Sequence, residues 1–265
     1  MLKFIKSIFS KRNKLDPSQS LNDMVQLMVP QHVAIVMDGN SRWAHLREQK
    51  PAFGHQKGAM VAKQIVEAAL EAGVQYLTLY AFSSENWSRP EDEVYELMVL
   101  MRTYLTSEVD KLITNDIRLK VIGSRQKLPQ DIHQLIEVVE KKTAHCQRLT
   151  LIMAISYGGR EEIVRAIKAL GSDIKNGIIE LDEVTEAAFA SYLDTADVPD
   201  PDLIIRTSGE HRLSNFLCWQ VAYSEFYFTQ TLWPDFSKNE FIDALIDFNK
   251  RSRRFGQRLA HEKFA

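Results

Sequence analysis

Short apolar runs and helical stripes alternate along this chain in a regular order. The first run, Val33-Ala34-Ile35-Val36-Met37, is apolar throughout and β-branched, the pattern of a strand buried on both faces. A helical stripe follows with Val61, Ile65, Ala68 and Ala72, closed by Gly73 at the position where a left-handed residue ends a helix. Residues 76–82 form a second apolar strand, and residues 91 to about 115 predict one long helix opened by acidic residues, as the helix dipole favours. Residues 117–122 read as a third strand. Pro129 then takes the first position of a helix with Ile132, Leu135, Ile136 and Val139 on one face. Residues 150–155 read as a fourth strand, followed by a helix ending near Leu170 and a short helix around residues 184–192. A fifth strand at 203–205, a sixth at 226–229 and a last helix carrying Phe241, Ala244, Leu245 and Phe248 complete the order. Strands alternating with helices predict an α/β fold: a single domain with a central, mostly parallel six-stranded sheet flanked by helices.

Three of these strands stop in comparable polar bursts. Asp38-Gly39-Asn40-Ser41-Arg42 follows the first, Ser83-Ser84-Glu85-Asn86-Trp87-Ser88-Arg89 the second, and Arg206 through Arg212 to Ser214 the fifth. Strand ends of a parallel sheet share one edge, which is where open α/β sheets bind ligands. Asp38, Asn40, Arg42, Ser83, Asn86, Arg89, Arg206, Arg212 and Ser214 are therefore expected to converge. Arginines, hydroxyls and glycine turns suit an oxygen-rich anion, with phosphate or pyrophosphate the natural candidate. Taken singly, each arginine is more often a solvated surface residue, and Asp38 reads equally as a turn carboxylate.

Composition narrows the choice. The 265 residues, 45% hydrophobic and 26% charged, fit one large globular domain. A net charge of −2 provides no global field for nucleic acid. The two cysteines exclude a disulfide framework, and both Cys146 and Cys218 read as core thiols. No apolar run approaches the roughly 20 residues of a membrane span. Residues 1–29 read as a tail, either frayed or, through the basic and apolar residues of 1–14, a weakly amphipathic foot on an anionic membrane. There is no G-x-x-x-x-G-K-[ST], no G-x-G-x-x-G and no G-x-S-x-G, and His32, His55 and His211 lack zinc-ligand spacing. Isolated carboxylates, Asp38 and Glu225, remain as candidate ligands for one Mg²⁺ shared with phosphate oxygens. Glu225 also reads as a strand-edge charge. Trp43, Phe53, Trp87, Phe216, Trp219, Phe226 and Phe228 lie near the bursts in sequence. They are core residues or the walls of an apolar cleft for an amphiphile with a pyrophosphate head.

Several segments together carry a more specific signal: H-V-A-I-V-M-D-G-N-S-R-W-A, G-H-Q-K-G-A, L-Y-A-F-S-S-E-N-W-S-R-P, I-S-Y-G-G-R-E-E-I and the stretch from Pro199 to Phe226. In order and spacing they resemble the cis-prenyltransferases, the undecaprenyl pyrophosphate synthase family, over residues 30–256. The resemblance implies a cytoplasmic homodimer, peripheral to the inner face of the membrane through its product or N-terminal tail. It implies Mg²⁺-dependent cis addition of isopentenyl pyrophosphate to farnesyl pyrophosphate, giving long-chain undecaprenyl pyrophosphate for cell-wall synthesis, in an apolar tunnel opening near the strand ends. By the same resemblance Asp38 is the metal and pyrophosphate aspartate and Glu225 a second metal carboxylate. Gly39, Asn40, Ser41, Arg42 and His55 surround the allylic pyrophosphate, and Asn40 and Ser83 help remove the proton from the condensing unit. Trp43, Ser84, Glu85, Asn86, Trp87 and Arg89 are substrate-side positions. Arg206, Arg212 and Ser214 clamp isopentenyl pyrophosphate, and Ala81 and Leu149 line the product tunnel, a small Ala81 leaving room for a long chain. Arg254-Phe255-Gly256 resembles an R-x-G that reaches substrate across the dimer interface, with 257–265 a C-terminal tail.

Two positions depart from the family pattern. Ser41 stands where glycine is usual, placing a Cβ in a turn expected to want φ > 0, and Pro51 stands where arginine is usual, removing a pyrophosphate contact and stiffening a loop. Three rival readings follow: a non-catalytic paralogue subunit, a short- or medium-chain enzyme, and a nucleic-acid-binding protein. The retained carboxylates and arginines oppose the first, Ala81 the second, and near-neutral charge the third.

Overall fold

The six apolar runs form a single sheet in which every pairing is parallel. A computed structural model describes residues 29–251. The foot in residues 1–14, Arg254-Phe255-Gly256 and the C-terminal tail lie outside them. The strands are β1 (His32–Val36), β2 (Tyr76–Ser83), β3 (Ile117–Ile122), β4 (Leu149–Tyr157), β5 (Leu203–Arg206) and β6 (Glu225–Phe228), in the order β3-β4-β2-β1-β5-β6. The chain works outward from β1 in one direction as far as β3 and β4, then returns to place β5 on the other side. That reversal makes the crevice between β1 and β5 the topological switch point, the position where such sheets take ligands.

Both faces of the sheet are covered, which explains the unbroken apolar strands. Val33, Ile35, Leu77, Leu79, Leu203 and Ile205 point to one face and share a core with helices that include α2 (Pro51–Ala72), α5 (Gln130–Thr143) and α8 (Lys238–Asn249). Ala34, Val36, Ile152, Ala154 and Ile204 point to the other, where Phe216, Leu217 and Val221 close over them. On that second side Glu162 of α6 (Gly159–Lys175), 1% exposed, accepts bonds from Tyr157 at 2.7 Å and Gln220 at 3.1 Å. The short α7 (Glu186–Ala190) is capped by the Thr185 hydroxyl, which accepts from the Ala188 amide at 3.1 Å.

Local chemistry moved several boundaries. A six-residue helix, α1 (Asn40–His45), stands where the sequence predicts a turn. Gly39 alone takes the left-handed conformation, at φ 106°, and the chain is helical from Asn40. Ser41 is therefore a helical residue, so its Cβ causes no strain. Pro51 is not in a loop: it is the first residue of α2, where its fixed φ and missing N–H suit a helix start. Pro129 lies one residue before α5. The long helix expected over 91–115 is broken at Glu108 into α3 (Glu91–Ser107) and α4 (Val109–Thr114). In the turns before the break the Thr103 and Thr106 hydroxyls donate to the carbonyls of Val99 and Arg102, at 3.0 and 2.8 Å, a back-bonding that bends helices. Cys146 is buried as expected, but Cys218 is exposed, because Phe216, Leu217, Gln220 and Val221 take the inward positions of its segment.

His32, at the start of β1, is 1% exposed and bonds to the Pro199 carbonyl at 2.6 Å and the Thr78 hydroxyl at 2.7 Å. Burial drives its pKa from 6.5 down to about 4, against the raising effects of Pro199 and Asp202. The unfolded chain therefore takes up a proton between those values that the folded chain refuses, and stability falls as pH drops from 6.5 to about 4. The loss in that window is about 3 kcal/mol, at roughly 1.4 kcal/mol per unit. Urea unfolding across this range is expected to show a flatter pH slope for His32→Gln than for the parent; parallel slopes would contradict it.

Candidate active site

The ends of β2, β1 and β5, adjacent in the sheet, bring the three polar bursts side by side. At the switch point Asp38 and Arg206 form an ion pair at 2.8 Å. Arg206 is 3% exposed, and its guanidinium also donates to the Ser214 hydroxyl at 2.8 Å and to the Arg212 carbonyl. Asp38 is fixed by its backbone. Its N–H donates to the Thr207 hydroxyl at 2.9 Å, that hydroxyl donates to the Asp38 carbonyl at 2.7 Å, and the same carbonyl accepts from the Trp233 amide. Arg206 Nε, Ser208 Oγ and Asn40 Oδ1 are buried here without a hydrogen-bond partner. Buried polar atoms are nearly always paired, so three orphans at one sheet edge mark a place built to meet further polar atoms.

The rim is held by charge. Arg42 donates to the Ser208 carbonyl at 3.0 Å and to Glu210 at 2.9 Å, and Arg212 also pairs with Glu210. Bonds from Arg42 and then Arg212 hold the Glu210 carboxyl below its ordinary value. Ser208, Gly209, Ser214 and Asn215 all have positive φ, so the loop after β5 is wound in conformations that L-residues adopt reluctantly. Asn215 ties this loop across the sheet: its side chain donates to Glu85 at 2.7 Å and accepts from the Arg160 amide at 2.9 Å.

At the end of β2, Ser83 and Asn86 form a reciprocal cap on the turn of Ser84–Ser88, with the Ser83 amide donating to Asn86 Oδ1 at 3.0 Å. Ser84 donates to Glu85 at 3.1 Å. Trp87 donates to the Ser156 hydroxyl at 2.9 Å and packs edge-on to Phe82. Arg89 pairs with Glu93 at 2.8 Å, and His55 Nε2 lies 3.5 Å from both Glu93 and the Ser41 hydroxyl. Burial, then Arg89, lowers the His55 pKa against the pull of Glu93.

Beside this edge opens an apolar cavity of about 300 Å³ between the sheet and α2 and α3. Met37, Asn40 and His55 line its mouth, one residue from Asp38; Ala81, Leu97, Met101 and Met153 line its walls; Asn115 and Ile117 lie at its far end. From His55 to Glu67, both lining residues on α2, the helix rises about 18 Å.

Some expected members are elsewhere. Glu225 opens β6 in register with Leu203 and Val33, whereas Asp38 lies beyond Val36, so they are separated by at least three strand rows, about 10 Å. Its carboxylate pairs with Arg251 at 2.9 Å, and a single chain does not bring it to Asp38. Trp43 is buried, with its indole on Asp235 at 2.7 Å and its ring stacked on Phe53. Leu149 is fully buried in the core, paired with Ile117, and the β4 residue lining the cavity nearest to it is Leu151. Phe216 lies in the opposite core, Trp219 packs on Phe189, and Phe226 and Phe228 stack on the edge strand, so the cavity walls are mainly aliphatic.

Other participants were not identified from sequence. Thr207 and Asn215 act through backbone bonds that no motif spacing reveals. Gly54 and Gly58 are one turn apart on α2, and a Cβ at either would lie 2.1 Å from Asn40, at its carbonyl or its Oδ1 respectively. Their spacing of four was the available signal. Among the described residues no group of three or more His, Cys, Asp or Glu could hold a metal, and no helix is long and apolar enough to cross a membrane.

Comparison with known proteins gives a consistent result. Residues 36–256 match the family model described as "Putative undecaprenyl diphosphate synthase". An isoprenyl transferase of Aquifex pyrophilus is 48% identical over 235 residues, covering 89% of this chain and 99% of its own length. One from Geobacter sulfurreducens is 46% identical over 240 residues, covering 91% and 98%. The solved structure of lavandulyl diphosphate synthase from Lavandula x intermedia, in complex with dimethylallyl diphosphate, superposes with a TM-score of 0.84 at 38% identity, covering 86% of this chain and 99% of that one. A probable undecaprenyl diphosphate synthase from Campylobacter jejuni gives 0.72 at 36% identity, with the same coverage.

Proposed function

The chain belongs to the undecaprenyl diphosphate synthase family of isoprenyl transferases, and from that we propose that it adds isopentenyl pyrophosphate in cis to farnesyl pyrophosphate. The product on this reading is long-chain undecaprenyl pyrophosphate, a lipid-carrier precursor for cell-wall synthesis. The observation that carries it is the apolar cavity opening one residue from the Asp38–Arg206 pair, because an allylic pyrophosphate has an anionic head and a hydrocarbon tail. The relative from Lavandula, solved in complex with dimethylallyl diphosphate, supports an allylic diphosphate as the substrate class.

In this reading Gly39, Asn40, Ser41, Arg42 and His55 hold the allylic pyrophosphate. Arg206, Arg212 and Ser214 hold isopentenyl pyrophosphate alongside, placing its double bond within attack distance. Asn40 and Ser83 assist removal of the proton from the condensing unit, while Ser84, Glu85, Asn86, Trp87 and Arg89 order the rim. Neutral His55 binds by hydrogen bond rather than charge. Ala81 and its aliphatic neighbours exclude water, which would capture the allylic carbon in place of the second substrate. Asp38, with one oxygen on Arg206 and its side chain 29% exposed, fits a single Mg²⁺ ligand whose remaining coordination comes from pyrophosphate and water. Bound Mg²⁺ would supply charge stabilisation for the departing pyrophosphate. Glu225, paired with Arg251, joins such a site only if a second chain of a homodimer supplies it.

Pyrophosphate release by the purified chain tests this directly. Release is expected only with farnesyl pyrophosphate, isopentenyl pyrophosphate and Mg²⁺ all present, and chelation should abolish it. Release that persists without isopentenyl pyrophosphate would indicate hydrolysis instead.

A further inference from the structure

The cavity is apolar along its sheet side from Ala81 to Ile117, but not along its helix side. Lys63 of α2 and Glu108, at the break between α3 and α4, both line it and pair at 2.6 Å. The Lys63 ammonium also lies 4.5 Å over the Tyr104 ring, and Glu108 takes longer bonds from the Ser107 hydroxyl at 3.2 Å and from Lys111 at 3.4 Å. Glu108 is the more shielded partner, with side-chain exposures of 17% against 37% for Lys63, whose ammonium stays partly in solvent. Along α2, Lys63 lies about 12 Å below His55 at the mouth, with Val66 and Glu67 a turn further down. A hydrocarbon end descending from the mouth therefore meets only apolar wall first and then a charged band.

We propose that the Lys63–Glu108 pair is a polar stop that limits how far a hydrocarbon chain descends, and thereby sets product length. The role in product length rests on the elongation reading; the limit on descent does not. Each methylene buried above the band is favourable. One laid against the pair strips water from two charges, which is unfavourable in a low-dielectric cavity. The same pair joins α2 to the α3–α4 break, so it also keeps the helix-side wall closed at that depth. A bulky residue at the cavity floor would stop a chain by contact; this pair stops it by solvation, and the two respond differently to substitution.

The experiment compares the parent with Lys63→Met/Glu108→Leu, which keeps size and removes charge, and with the exchanged pair Lys63→Glu/Glu108→Lys. Binding of n-alkyl phosphates of increasing length is measured first, needing no turnover. Parent affinity is expected to rise about fourfold per methylene and then level off. Levelling should come at a greater length in the apolar variant and at the parental length in the exchanged pair. Products from farnesyl and labelled isopentenyl pyrophosphates are then sized, with a shift of one or more five-carbon units expected for the apolar variant alone. Glu108→Gln, a gentler change, should shift both readouts in the same direction by less. Identical levelling lengths in parent and apolar variant, or equal shifts in the apolar and exchanged variants, would overturn the stop. No product from any chain, with the levelling pattern intact, would reject the elongation reading and leave the stop standing.

Discussion

Asp38→Asn is expected to lower turnover about 10³-fold, close to 4 kcal/mol of lost transition-state stabilisation. The substitution keeps the side chain's shape and an acceptor for Arg206, now at 2.8 Å, but removes the charge that would hold Mg²⁺. A structural effect accompanies the catalytic one. Arg206 is 3% exposed, and weakening its ion pair with Asp38 leaves a buried guanidinium poorly compensated, costing about 2 kcal/mol of stability. The two effects separate experimentally: thermal unfolding reads the second, and steady-state rates at a temperature where the variant is folded read the first. A folded, fully active Asp38→Asn enzyme would reduce Asp38 to the counter-ion of Arg206.

Gly58→Ala is expected to damage activity far more than stability. A methyl group there would lie 2.1 Å from Asn40 Oδ1 and 2.9 Å from Trp233. Asn40 Oδ1 has no hydrogen-bond partner, so the amide can swing aside at the cost of one long bond, from its Nδ2 to the Met37 carbonyl at 3.3 Å. Overpacking of roughly 1–3 kcal/mol is partly offset by alanine's better helix propensity, about 1 kcal/mol. A displacement of the Asn40 amide by an ångström or more is expected to cost about 10²-fold in rate. Gly54→Ala gives the opposite balance. Its methyl group meets the Asn40 backbone carbonyl at 2.1 Å, which moves only if α1 moves, so about 3 kcal/mol of stability is expected to go. Chemical denaturation and rate measurements on the two variants would show this contrast. Equal stability losses would mean that α1 is not anchored on these glycines.

The strands were legible because burial on both faces leaves few polar interruptions in them, and the bursts were legible because they follow those strands. Which bursts would touch was harder to read. The β3-β4-β2-β1-β5-β6 order, which puts Asp38 against Arg206, depends on crossover connections rather than on any local pattern. Glu225 shows a signal passed over: a strand at 226–229 already sets Glu225 at a strand start and Asp38 beyond a strand end, and a parallel sheet keeps those two ends apart. Helix α1 was missed because six residues beginning with Asn-Ser carry weak helical signals, and Gly39 absorbs the backbone reversal. The break at Glu108 depends on threonine back-bonding and a cross-helix lysine, neither of which disturbs the apolar periodicity. Aromatic residues misled most. Trp43 and Phe216 read as candidates for a cleft wall, yet both rings are buried in the solid core, and the cavity is lined mainly by aliphatic residues.

In the proposed reaction an anion-binding sheet edge and an apolar cavity act together on one amphiphilic substrate. This is tested most directly by sizing the products made from farnesyl pyrophosphate and labelled isopentenyl pyrophosphate with Mg²⁺. A series of polyprenyl pyrophosphates growing by five-carbon steps to a long limit is expected. Label that stays in isopentenyl pyrophosphate while the protein remains folded would contradict it.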